Sequence, residues 1–334
     1  MKHPKLPSQY LLPIYVSLAL LLSTQALSQG RTFGLLAKDV TDSNFVDAWK
    51  GCQEEAVSTG DKCILLGGKT SQAHVQALEF KQALDRNLSA LAISVTDSDV
   101  IARAVQETSP QIPLITFDSS FSGSAKSLSQ SEVGISNLKF GKTLASLALN
   151  GYPQGGHVCI LTAEDTNIEQ RVQGIREALS GNDQWPEGQR LSGENGWYEN
   201  RQCPLTSLDG RYQVGFQLSP TKPGISLPFD SALRYVKPDV FISSGSWPLM
   251  DPEAYRQSMH AYQQQNGDIP LMVVAVGAIL PDYEQLMKEH LLNGLVSIDF
   301  PTIGKSAMKE MRDLADGKQP EAVVSVPTIT RFQK

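Results

Sequence analysis

The chain is 334 residues long, 41% hydrophobic and 19% charged, with a formal net charge of −6 at pH 7. This mildly acidic balance includes no basic stripe, which argues against a nucleic-acid partner. The length exceeds one typical domain and suits two of about 150 residues each.

The amino terminus reads as an export signal. Lys2 and Lys5 precede an apolar run over 11–22, broken only by Ser17, and Ala26-Leu27-Ser28 offers the small residues that a signal peptidase reads. The run, about a dozen residues, is shorter than the ~20 that a membrane-spanning helix needs. Residues 1–28 are therefore assigned to a signal peptide, with the mature chain starting at Gln29 in the periplasm. An uncleaved anchor is the alternative. No cysteine follows the run, which argues against a lipoprotein, and no later segment is long and apolar enough to cross a bilayer.

Beyond the signal, strand-type runs lie at 32–37, 63–66, 91–95, 114–117, 157–161, 240–243, 271–276 and 294–298. Between them, 44–58, 73–87, 138–150 and 167–180 carry apolar residues at three- and four-residue spacing, the helical period. Strands alternating with helices predict an α/β fold of parallel sheets, with helices on both faces. The stretch 90–120 is the most explicit: two buried-type strands flank a helix, and Thr-Asp-Ser-Asp and Asp118-Ser119-Ser120 stand at their carboxyl ends. Ligands bind along that edge of open α/β sheets. The Ser- and Gly-rich stretch 122–133 is the expected first crossing between two lobes. A Gly- and Pro-containing region over 184–224 is long for a plain connection and is expected to pack as an ordered excursion on the second lobe.

Four cysteines in an exported chain invite pairing. Cys52 near the first helix start and Cys63 at the next strand are neighbours in a β-α-β unit. The expected bridges are Cys52–Cys63 and Cys159–Cys203; four buried thiols are the alternative. Their spacing, with no C-x-x-C and no nearby His pair, predicts no metal site. Catalysis finds little support, because His3, His74, His157, His260 and His290 are scattered and no nucleophile elbow, His-Glu-x-x-His or phosphate loop occurs. The run Asp39-Val-Thr-Asp-Ser-Asn hints at calcium but lacks the glycine and distal glutamate of an EF-hand. The chain is read as a non-enzyme with no cofactor.

Several segments together carry a family resemblance: SNFVDAWKGCQEEA, ISVTDSDV, IPLITFDSS, GGHVCILTAEDTNIEQRVQGIREAL and GLVSIDFPTIGKSAMKEMRDLADGK. In this order and at these intervals the chain resembles the type I periplasmic sugar-binding proteins, the ribose- and xylose-binding-like group. LSGENGWYENRQCPL and SSGSWPLMDPEAYR look like a subgroup of transporter-associated binders with extra cysteines. The resemblance implies two lobes, each a parallel sheet flanked by helices, joined by three crossings and closing on a small polyhydroxylated ligand. Lobe one would hold 29–130 plus a returning segment over 299–320; lobe two would hold 131–298 plus 321–334. It also implies a monomer that delivers its ligand to the permease of an ABC importer. A sensory co-receptor docking on a membrane histidine kinase or chemoreceptor is the alternative, whereas a sugar repressor would need a DNA-binding segment where the signal peptide stands.

The resemblance also assigns site residues. Asp118 would accept hydrogen bonds from adjacent sugar hydroxyls, where charged acceptors make the stronger bonds; a turn or cap is the alternative. Arg171 would fork onto ring and hydroxyl oxygens, against a solvated role beside Glu169 or Asp165. Asn44 and Phe45 would supply a polar contact and an aromatic wall, although Phe45 could be core, as Trp49 is expected to be. Asp42 and Asn167 would either cap helices or touch ligand. Trp247 is a candidate stacking platform, whereas Trp197 is expected to be structural. Two positions depart from the family pattern: Gly277 stands where an acidic residue is common, and Ile298-Asp299 where Gln is common. Losing a partner to a buried hydroxyl costs about 1–3 kcal/mol, so the usual sugar set would bind poorly unless a residue such as Asp299 replaces it.

Overall fold

The computed structural model describes residues 30–163, 166–201, 203, 205–206 and 236–333. The expected signal peptide over 1–28, its cleavage point, Asp165 and most of the second half of the 184–224 excursion lie outside the described residues. The chain begins β1 (Thr32–Leu36), α1 (Ser43–Val57), β2 (Lys62–Leu66), α2 (Ala73–Leu84), β3 (Ala90–Ile93), α3 (Ser98–Thr108), β4 (Leu114–Phe117) and β5 (Glu132–Gly134). It continues with α4 (Asn137–Gly151), β6 (Gly156–Ala163), α5 (Thr166–Ser180), β7 (Ser192–Glu194), β8 (Trp197–Glu199), β9 (Leu205–Thr206) and β10 (Val240–Ser243). It closes with α6 (Pro252–Asn266), β11 (Leu271–Val276), α7 (Pro281–Lys288), β12 (Gly294–Ile298), α8 (Phe300–Ala315), β13 (Val323–Ser325) and β14 (Thr328–Phe332). Among the described residues no helix is long and apolar enough to cross a membrane.

The strands form two sheets. The first runs β13-β5-β4-β3-β1-β2, all parallel; the second runs β14-β12-β11-β10-β6-β8-β7, with β9 also on β6. Strands β3, β4, β10, β11 and β12 are buried at every residue. Such two-sided burial explains why they read as continuous apolar runs rather than as alternating ones. Several helix starts are set by side-chain caps. Asp97 accepts from Val100 N, Ser136 from Lys139 N and Asp251 from Ala254 N, and each satisfies an amide that the first helical turn leaves unpaired.

Each lobe rests on a pair of helices in near backbone contact. Glycines permit this: a Cβ at Gly51 or Gly304 would overlap the facing backbone across α1 and α8, and one at Gly141 or Gly174 would do so across α4 and α5. The first pair is reinforced where Arg312 on α8 reaches Glu55 at 3.0 Å. The returning helix α8 thus packs against α1.

Three expectations change. The first sheet continues past the expected break: β5 pairs with β4 through Thr116–Glu132 and Phe117–Val133, and β13 pairs with β5. Lobe one therefore extends beyond 130 and reaches past 320, and the 122–133 stretch is an intra-lobe connection carrying a 3-10 turn over Gly123–Leu128. The crossings fall between β5 and α4, between β12 and α8, and between β13 and β14. Three-residue strands show no period to read, so the sequence gives no sign of this pairing. The second sheet is also not wholly parallel, since β14 runs antiparallel to β12 and β7 antiparallel to β8.

The described part of the excursion adds β7 and β8 as an edge to the second sheet, with Trp197 fully buried beneath it. Trp49 is half-buried and donates from Nε1 to Cys63 O at 3.1 Å. Both cysteine pairs are bonded, Cys52–Cys63 and Cys159–Cys203, with Cα separations of 5.9 and 5.5 Å.

Candidate functional site

The carboxyl ends of β1, β3 and β4 face those of β6, β10, β11 and β12 across a cleft. At its base lies a cavity of about 180 Å³ lined by Asp42, Asn44, Phe45, Asp118, Asn167, Arg171, Trp247 and Gly277. Eight of the nine ligand candidates from the sequence therefore converge on one space, although they are spread over more than 230 positions of the chain.

Asp118 follows β4 directly. Its backbone is left-handed at φ 60°, a conformation that costs a non-glycine residue on the order of 1–3 kcal/mol. Its amide donates to Val133 O at 3.0 Å, which holds the turn against β5. The carboxylate accepts from Ser94 Oγ at 2.9 Å, so Asp118 caps no helix and lines the cavity.

Arg171 lies on the second turn of α5 and is 7% exposed. Its guanidinium stacks over Phe140 at 4.9 Å, while Nε donates to Asn137 Oδ1 at 2.9 Å and Nη1 to Ser244 O at 3.0 Å. These contacts fix the plane of the fork and rule out the solvated-face alternative. Arg176, expected on the solvated face, is instead largely buried in a bidentate pair with Glu199. Asn167 reaches across the cleft from α5 and donates to Asp118 O at 3.1 Å, which joins the two lobes directly.

The apolar walls come from both lobes. Phe45 meets Phe117 and Phe300 edge-on, at 6.0 and 6.3 Å between centroids, so it is both core and cavity wall. Trp247 opens the 3-10 turn Trp247–Leu249, with its ring flat against Gly245: a Cβ there would lie 2.7 Å from Cη2.

Asp42 performs two tasks. Its carboxylate accepts from Asn44 N at 2.8 Å and starts α1. Asp42 is exposed at the cleft mouth, with the surrounding protein displacing part of the water around its carboxylate. Burial pushes its pKa up, and the nearby Asp118 and Asp39 carboxylates add to the rise.

Asp299 is the exception. It caps α8, accepting from Thr302 N at 3.0 Å and from Thr302 Oγ1 at 2.6 Å, and it does not line the cavity. Ile298 lines the cavity in its place, so this departure leaves an apolar wall rather than a substitute carboxylate. The other departure has a steric explanation. A Cβ at Gly277 would overlap Asn44 Oδ1, so the Asn44 carboxamide occupies the space that a side chain at 277 would fill.

The sequence reading missed Lys38, Asp39, Ser71, Ser246 and Met250, which also line the cavity. Lys38 and Asp39 were detectable, because they follow β1 at the same sheet edge as Asp118. Ser71 and Met250 carry no comparable signal. Among the described residues no group of three or more His, Cys, Asp or Glu is arranged to hold a metal ion.

Comparison with known proteins agrees with this architecture. Residues 33–319 match the family model described as a periplasmic binding protein domain. No curated protein matches the chain by sequence. Among solved structures, an ABC transporter periplasmic solute-binding protein from Actinobacillus succinogenes with bound D-allose superposes with TM-score 0.69 at 14% identity, covering 90% of this chain and 97% of its own. A solute-binding protein from Burkholderia graminis in complex with D-arabinose gives TM-score 0.69 at 18% identity, covering 91% and 95%. GanP, a glucose-galactose binding protein from Geobacillus stearothermophilus, gives TM-score 0.69 at 14% identity, covering 91% and 97%. With two α/β lobes, a polar cleft at their facing strand ends and a family match over most of its length, this chain belongs to the periplasmic binding protein family.

Proposed function

We propose that the protein captures a sugar in the interlobe cleft and presents it, in the periplasm, to an ABC importer. One observation carries this reading: the buried, fixed Arg171 fork and the Asp118 carboxylate share a cavity with Phe45 and Trp247. Sugars need this pairing of edge hydrogen bonds with apolar faces. The sugar-bound solute-binding proteins of the same fold support it. The Asn167 bond to Asp118 O supports closure, since a ligand touching both lobes stabilises the closed state through its differential affinity. On this reading the leader is removed near Ser28 and the protein acts as a monomer.

The test is thermal unfolding of the purified protein against pentoses, hexoses, sugar alcohols and short glycosides. A ligand present at a hundred times its dissociation constant stabilises by about 2.7 kcal/mol. The expected result is a raised midpoint with at least one sugar, abolished by Arg171→Ala. A folded, ligand-free protein that no sugar stabilises overturns the reading.

A further inference from the structure

The cleft has a second chamber. Outside the cavity around Asp118 and Arg171 lies a larger one of about 500 Å³, against 180 Å³ for the inner. Both are lined by Asp42, Asn44, Met250 and Gly277, so they are adjoining compartments of one cleft. Small-molecule sites usually enclose about 300–1,000 Å³; the inner chamber falls below that range and the outer lies within it. The boundary runs through the Asn44–Gly277 contact, where the absence of a side chain at 277 leaves room for the carboxamide.

The walls of the outer chamber differ in kind. Lobe one contributes Thr41, Ser43 and Asp47 from the start of α1, and lobe two contributes Ala278, Leu280 and Tyr283. Asp47 also pairs with Lys50 at 2.8 Å. Met250 and Leu280 are 59% and 43% exposed, large apolar side chains left in water beside the cleft. A sugar ring has the matching two-sidedness. Its C–H face removes apolar surface from water, while its hydroxyls donate to carboxylates and exchange hydrogen bonds with hydroxyls.

We infer that the ligand is longer than one ring: a neutral disaccharide or glycoside whose first ring fills the inner chamber and whose second lies in the outer one. The apolar face of the second ring rests on Met250 and Leu280, and its hydroxyls meet the start of α1. The carboxylates of Asp39, Asp42 and Asp47 disfavour an acidic second ring through like-charge repulsion. This inference rests on the proposed sugar capture and specifies the substrate class of that same cleft.

The test is calorimetric titration with D-xylose, D-arabinose, D-glucose and D-galactose, then with xylobiose, arabinobiose, cellobiose, lactose, melibiose and the acidic digalacturonate. At least one neutral disaccharide should bind about tenfold or more tightly than either of its component sugars, and digalacturonate should bind more weakly than the neutral compounds. Ala278→Trp places an indole in the outer chamber where the second ring would lie, and should remove that gain while leaving monosaccharide affinity and the unfolding midpoint unchanged. Should the tryptophan variant unfold, Leu280→Ala, which touches only the outer chamber, provides the same test by weakening the disaccharide alone. A monosaccharide that binds as tightly as every disaccharide overturns the inference and leaves sugar capture standing. So does disaccharide affinity indifferent to Ala278→Trp. If sugars of neither length bind, sugar capture itself fails, and this inference with it.

Discussion

Replacing Gly141 with alanine tests whether helix packing holds Arg171 in place. Gly141 on α4 faces α5, and a Cβ there would overlap the carbonyl oxygen of Arg171 and lie 2.8 Å from its carbonyl carbon. Carbon atoms rest about 3.5–4.0 Å apart at optimal contact, so α5 must retreat by roughly 0.7 Å or more. Neither side can yield by rotating a side chain, because the atoms struck are backbone. Overpacking of this kind costs about 1–3 kcal/mol, which lowers the unfolding midpoint by at most about 2–4 °C per kcal/mol, because the shift shrinks as the chain grows. Binding should suffer separately, since a site works only when its groups sit within about 0.5 Å of the productive geometry. Losing one charge-assisted bond at about 1.5–3 kcal/mol weakens ligand by roughly ten- to a hundredfold. Differential scanning calorimetry and titration with the stabilising sugar measure the two effects. Gly134→Ala is the control: its Cβ would stand 3.6 Å from Asp118 N, an ordinary contact, and stability should hold. A Gly141→Ala protein with wild-type midpoint and affinity would refute the claim that the α4–α5 contact positions Arg171.

Two further predictions concern the cleft. The pKa of Asp42 is raised in the folded protein, so the ionised form is penalised there, and the penalty is complete only above the raised value. Asparagine keeps the capping acceptor. Asp42→Asn should therefore be more stable than wild type at pH 7, and the difference should disappear as pH falls below the ordinary aspartate value of 3.8. Denaturant melts at pH 7 and pH 3.5 check this, and a gain that persists at pH 3.5 contradicts the sign. Gly277→Ala should scarcely alter stability, because the group it strikes is the end of the Asn44 side chain, yet it should weaken ligand. Made in an Asn44→Ala background, the same change should add little, with a coupling of about 0.5–3 kcal/mol between the two sites. Additive losses would show that the Asn44–Gly277 contact is immaterial.

The alternation of apolar runs with helical periods was enough to predict the fold class and eight of the parallel strands, because strands buried within a parallel sheet are apolar on both faces, whereas the partly exposed antiparallel β14 carries no such run. It also placed Asp118 at a strand end, where an α/β sheet meets its ligands, whereas Arg171, Asn44 and Phe45 were marked by the family resemblance. What the sequence left undecided depends on contacts between distant segments. Strands β5 and β13 have three residues each and no readable period, so their pairing, and with it the lobe boundary, exists only in the folded sheet. Asp299 and Asp42 are alike in sequence, each an aspartate just before a helix. Only the crossing geometry turns Asp299 wholly onto the cap of α8 while leaving Asp42 at the cleft. Gly277 reads as a lost carboxylate until the fold brings Asn44 against it from the other lobe. Local chemistry fixed which residues could bind; the closure of two lobes, which joins positions more than 230 residues apart, decided which of them do share a site.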